Sequence, residues 1–209
     1  MALRQEAEAA AEERRQAFGE VHPDTLTAML DLAEILWAEG ELIAARRLEE
    51  AVVAGRRAIY GDAHFDTLKA LGKLATTVGQ QGNLPEARRL QEQVVAGMRA
   101  LYGDEGRETL RAVNNLAGSV AALGEVETAR ALLNQTLATL TRVFGEDDGD
   151  SLFAMSNLAA LMWQEGDRDE AYWLQHHVVE TRRRVGGADD PATRNAEAVL
   201  DAMLRGGLS

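Results

Sequence analysis

The sequence predicts an all-α fold, a solenoid of antiparallel helix pairs, and three observations carry that prediction. Four stretches, beginning at His22, His64, Gly106 and Asp148, superimpose without a gap at a period of 42 residues. Self-similarity at a fixed spacing of this size marks one supersecondary unit stacked on copies of itself. Within each period the apolar residues recur at three- and four-residue spacing. The first reads Leu26, Met29, Leu32, Ala33 and Leu36, then Ala45, Leu48, Val52, Gly55 and Ile59, the pattern of two amphipathic helices. Two columns of small residues, Ala33, Ala75, Ala117 and Ala159, then Ala45, Ala87, Ala129 and Ala171, leave room for the paired helices to approach closely.

The elements follow in chain order. Residues 1–21 align with the end of a repeat, a second helix without its first, closing in Phe18-Gly19 where later repeats close in Tyr60-Gly61, Tyr102-Gly103 and Phe144-Gly145. Four full repeats follow, 22–63, 64–105, 106–147 and 148–189. His22 or its equivalent is expected to cap each first helix, with Pro23 at a position where a missing N–H costs nothing and Asp24 favourable against the helix dipole. Gly40, Gly82, Gly124 and Gly166 are expected to end the first helices in the left-handed conformation, and Gly61, Gly103 and Gly145 to end the second helices in the same way. Residues 190–209 carry one more first helix, Asp190 to Leu204, with Arg194 in a leucine column and Asp201 in the alanine column. Charges at stacking positions identify a polar capping element. The count is ten helices in a single repeat domain, 1–209. A chain that starts half a repeat in is expected to be part of something longer, or to pair its first helix with a second copy in a two-fold dimer. The polar cap is expected to be a natural end.

With 46% hydrophobic and 27% charged residues, the chain has enough apolar material to bury a core. It contains no cysteine, which removes disulfides, thiolate nucleophiles and Cys-ligated zinc together. The net charge of −12 repels nucleic-acid phosphates and anionic lipid surfaces. No apolar run approaches the roughly 20 residues that span a bilayer, and the Ala/Glu/Arg-rich start is no export signal. A cytoplasmic protein is expected, binding neither nucleic acid nor membrane. Adjacent His176 and His177 point about a hundred degrees apart on a helix and cannot form a metal pair. The acidic run at Glu146, Asp147, Asp148 and Asp150 lacks the spaced ligands of a calcium loop. There is no phosphate loop, nucleophile elbow or His-Glu-x-x-His motif, so no enzyme, metal or cofactor is expected.

A helix pair with Gly and then Ala five residues on, as in Gly40 and Ala45, resembles the tetratricopeptide repeat. The 42-residue form here, with His-Pro-Asp-Thr-Leu at its start, Asn-Leu-Ala in its middle and Tyr-Gly-Asp at its end, is similar to the kinesin light chain subfamily. The resemblance implies a right-handed superhelix whose concave face, lined by first helices, holds a peptide. Transferring the family's register puts Trp37, Lys69, Lys73, Arg111, Asn114, Asn115, Phe153, Asn157 and Trp163 on that face. Lys69 and Lys73 are the only lysines of the chain, one turn apart, with Arg111 in the column of Lys69. The asparagines can donate and accept at once, which suits an extended backbone. Trp37 and Trp163 share a column, with Phe153 beside the latter, and aromatic anchors dominate many binding surfaces. In the kinesin light chain family paired asparagines equivalent to Asn114-Asn115 help hold acidic cargo peptides; repeats one and two depart from this with Leu30-Asp31 and Gly72-Lys73. The function expected is a protein-interaction module whose groove takes an acidic segment with apolar anchors. The alternatives are a sensing domain of a larger signalling protein and a self-associating scaffold.

Overall fold

The computed structural model describes residues 2–206, and these form ten α-helices and no strand. They gather into two compact units, one ending at Gly103 and one beginning at Asp104. The first unit holds α1 (Ala2–Phe18), α2 (Pro23–Ala38), α3 (Leu42–Tyr60), α4 (Phe65–Gln80) and α5 (Leu84–Tyr102). The second holds α6 (Arg107–Ala122), α7 (Val126–Phe144), α8 (Gly149–Glu165), α9 (Arg168–Gly186) and α10 (Pro191–Leu204). Each even-numbered helix of a full repeat turns back through two or three residues onto the odd-numbered helix that follows, so the pairs are antiparallel.

The alanine columns lie inside the pairs: Ala33 and Ala45, and likewise Ala117 with Ala129 and Ala159 with Ala171, are wholly buried. First helices end with Gly40, Gly82, Gly124 and Gly166 at positive φ, as the sequence predicts. The second helices end differently. Gly61, Gly103 and Gly145 combine positive φ with ψ near 171°, 178° and 159°, an extended conformation open only to glycine. It leads the chain straight into the next first helix instead of curling it back.

The caps follow the sequence in three of four repeats. The Asp24 and Asp66 N–H groups donate to Nδ1 of His22 and His64 at 3.2 Å, and these rings stack on Phe18 and Tyr60 at 4.6 and 4.4 Å. Asp148 accepts from the Asp150 N–H at 3.0 Å. Gly106 has no side chain to offer. Beside it Arg107 lies over the Phe144 ring at 4.0 Å and reaches Asp148 at 2.8 Å, and Asp150, from the next repeat. A buried hydroxyl column adds a second tie at two of the turns: Thr25 donates to the Gly19 carbonyl at 2.8 Å and Ser151 to that of Gly145 at 2.7 Å, whereas the Thr67 and Thr109 hydroxyls of the same column have no partner.

One column of the second helices decides how neighbouring repeats join. Glu49, Gln91, Leu133 and Gln175 stand 42 residues apart and are all buried. In the first unit the Thr77 hydroxyl of α4 donates to Glu49 Oε1 at 2.9 Å. In the second, Leu133 of α7 and Leu161 of α8 belong to one apolar cluster, and Gln175 of α9 donates to the Ala196 carbonyl of α10 at 2.8 Å. Thr77 and Leu161 occupy corresponding positions two periods apart, so polar meets polar and apolar meets apolar. On α10, Arg194 and Asp201 are exposed.

Candidate functional site

In the first unit the outer face of α4 carries Lys69 and, one turn on, Lys73. Lys69 is exposed. Lys73 reaches across to Glu34 of α2, Nζ to Oε1 2.6 Å, so its charge is already met within the protein. Trp37 of α2 packs its ring against the cluster of Leu32, Leu36 and Ala45, while its indole Nε1 is buried without a hydrogen-bond partner. Beneath this face lies Glu49, only 3% exposed, which the sequence reading did not single out. Burial pushes its carboxyl above the usual range, opposed by the Thr77 hydrogen bond and the charge of Lys73. The signal was present: an acid between buried Ala45 and Val52 breaks the apolar stripe of α3.

In the second unit Arg111 Nε contacts Asp150 Oδ1 at 2.6 Å, beside the Arg107 ion pairs. Hydrogen bonding to Arg107 holds the Asp148 carboxyl below the usual carboxylate range, against its partial burial. Asn114 and Asn115 part company. Asn115 is exposed, whereas Asn114 is 2% exposed and neither of its amide atoms has a partner. The register that puts both on one face overlooks that consecutive helical residues diverge by about 100°. On α8, Phe153 stands 41% exposed between buried Leu152 and Ala154, with half-buried Asn157 one turn further on. Trp163 packs on the cluster around Leu161 and Met162, with the Arg168 guanidinium 5.4 Å from its ring. Of the nine candidates, the structure brings Lys69 and Lys73 together on α4, and Phe153 and Asn157 together on α8. Trp37 and Trp163 are wall residues with a partly exposed edge, and Asn114 is enclosed.

Among the described residues no group of three or more His, Asp and Glu is placed to hold a metal. No described helix is long and apolar enough to cross a membrane.

A tetratricopeptide repeat model matches residues 33–100, 66–142 and 108–172, and a second tetratricopeptide repeat model matches 154–192. A comparison with curated proteins gives no match. Among solved structures, TPR-like repeats ascribed to a kinesin light chain of Podosopora anserina are 26% identical, covering 88% of this chain and 87% of that one, with a TM-score of 0.67. BtubC (BKLC) from P. vanneervenii is 21% identical over 99% of this chain and 84% of its own, TM-score 0.73. The Rap protein, solved in complex with Competence and Sporulation Factor, is 12% identical over 96% of this chain and 58% of its own, TM-score 0.72; these last two are similar in fold.

Proposed function

The chain belongs to the tetratricopeptide repeat family, in its kinesin light chain-like form, and on that premise we propose that it is a protein-interaction module that holds an extended partner segment against its first helices. The observation that carries this reading is the outer face of α8. Phe153 remains 41% exposed although the residues on either side are buried, and an amide follows one turn later at Asn157. An exposed aromatic beside a donor and acceptor is what an apolar anchor and a neighbouring peptide group require. The Rap protein, of the same fold, is seen with a factor bound, which agrees with use of this architecture for recognition.

The preferred segment is acidic with one or two apolar anchors. On α4, Lys69 has no carboxylate within ion-pair distance among the described residues and offers its ammonium to such a segment. Lys73 and Arg111 are held by Glu34 and Asp150. A carboxylate of the partner must take the place of these internal acids, so the attraction is moderate and falls with salt.

Selection from a displayed library of random peptides tests this. Recovered segments should be acid-rich with an aromatic or aliphatic anchor, and should lose at least tenfold in affinity against Phe153→Ala/Asn157→Ala. Acidic segments that engage the first unit should weaken against Lys69→Glu. Segments that bind both variants as well as the intact chain would refute the placement.

A further inference from the structure

A cavity of about 360 Å³ opens between α2, α3 and α4 of the first unit, lined by Glu34, Trp37, Glu49, Lys73, Thr76 and Thr77. Glu34 and Thr76 at its mouth are exposed, and Glu49 and Thr77 at its floor are buried. Two of the lining groups lack a partner. Glu49 Oε1 accepts from the Thr77 hydroxyl at 2.9 Å, but its Oε2 is buried and accepts nothing. The Trp37 Nε1–H is buried and donates to nothing. Leaving such groups unmet costs about 1–3 kcal/mol each, more when the group is charged, so two of them lining one cavity call for an explanation.

The repeat itself supplies the control. Two periods later the positions of Trp37, Glu49 and Thr77 are Ala121, Leu133 and Leu161, and these pack together in an apolar cluster of the second unit. There the same architecture closes this space with hydrocarbon. Gln91 Oε1 and Gln175 Oε1, in the column of Glu49, are also buried without a partner, but among the described residues only the first repeat combines such an oxygen with an unmet indole N–H. In the first unit the space is lined instead by an indole N–H, an acid and a hydroxyl.

We propose that this cavity binds a primary ammonium group with a carbonyl oxygen next to it. The ammonium donates to Glu49 Oε2, and the carbonyl accepts from Trp37 Nε1–H. Charge agrees with this: Glu34 and Lys73 cancel each other across the mouth at 2.6 Å, which leaves the Glu49 carboxylate as the charge to be matched. The volume falls at the small end of ligand pockets and equals that of roughly a dozen waters at about 30 Å³ each. It suits the amino-terminal residue of a peptide or a small free amino amide, which share this chemistry. The site goes beyond the partner-segment reading and uses neither Phe153 nor Asn157.

The test follows the indole N–H resonances of the ¹⁵N-labelled intact chain during titration with glycinamide. The chain has three tryptophans, and Trp37→Phe assigns the one in the cavity. Glycinamide should move the Trp37 signal saturably and leave those of Trp163 and Trp173 in place. N-acetylglycinamide, which lacks the cation, should not move it. Glu49→Gln should weaken binding at least tenfold; glutamine already occupies this column at Gln91 and Gln175, so the variant is compatible with the fold, and unchanged Trp163 and Trp173 signals verify that. A tripeptide amide that binds at least tenfold tighter than glycinamide identifies the occupant as a chain amino terminus, and equal affinities identify a small free amine. The inference is overturned if no saturable shift occurs, which would make this a hydrated cavity only, or if N-acetylglycinamide or the Glu49→Gln variant behaves like the original. Phe153→Ala/Asn157→Ala should bind glycinamide unchanged, which separates failure of this site from failure of the partner-binding face.

Discussion

Replacing Gly97 with alanine sets two effects of known size against each other. Gly97 lies inside α5, where alanine is better than glycine by about 1 kcal/mol through backbone entropy alone. Against this, a Cβ at Gly97 would sit 2.5 and 2.6 Å from the two methyl carbons of Leu68 and 3.1 Å from its Cγ. The leucine would have to swing both methyls away, and at only 3% exposure it must do so within packed surroundings. Overpacking of this kind costs about 1–3 kcal/mol, and contacts this short belong in the upper half of that range. Gly97→Ala should therefore destabilise the protein by about 1–2 kcal/mol. Leu68→Ala alone should cost about 2–5 kcal/mol as a cavity. In that background the obstacle is gone, and Gly97→Ala should stabilise by about 1 kcal/mol. The sign reversal amounts to a coupling of about 2–3 kcal/mol, as expected for side chains in direct contact. Urea unfolding followed by circular dichroism on the four proteins of the cycle measures it, with the slopes compared to confirm a common transition. If Gly97→Ala stabilises the original protein, or has the same effect with and without Leu68, the reasoning fails. Threonine stands at this position in the third and fourth repeats, as Thr139 and Thr181; the constraint belongs to the tight approach of helices in the first unit.

Two further outcomes concern acid and base. Burial raises the Glu49 carboxyl, so the native state keeps a proton that the unfolded chain has released, and stability falls as pH rises from about 4.3, the unfolded glutamate value, through the higher native one. Glu49→Gln should flatten that part of the stability profile, as read from urea midpoints between about pH 4 and pH 7. Asp148 is shifted the other way by Arg107, so its stabilisation is present above the unfolded aspartate value of about 3.9 and disappears as pH falls through its lowered native one. Arg107→Ala should cost about 1 kcal/mol at neutral pH, the low end for charge-assisted bonds because the arginine is about a third exposed. The difference from the original protein should narrow below about pH 4.

Local rules were legible wherever the period repeats them. The 42-residue spacing and the Ala33 and Ala45 columns predicted ten helices and which small residues are buried between them, because close packing constrains residue size at the same place in each copy. His22 and His64 were readable as caps since one residue and the next backbone N–H suffice. Arg107 was not, because its partners Asp148 and Asp150 lie a full repeat away and replace a cap that Gly106 lacks. The lysines of α4 were found, but not the pairing of Lys73 with Glu34, which depends on how α2 and α4 are spaced. Glu49 was not legible for the opposite reason: it sits on a second helix, off the first-helix face that the family resemblance marks.

The matched residues where repeats join, Glu49 with Thr77 and Leu133 with Leu161, bear on how such a chain can change over generations. Arrays grow and shrink by duplicating or deleting whole copies, and each event creates a junction between helices that were not neighbours before. A copy ending in the glutamate placed before one carrying the leucine would bury a carboxylate against hydrocarbon, a fault worth several kcal/mol. The seam therefore favours shuffled copies in which both sides of the new joint are exchanged together, unless a backbone carbonyl takes the polar group, as that of Ala196 does for Gln175, where Met203 of α10 stands in the column of Thr77.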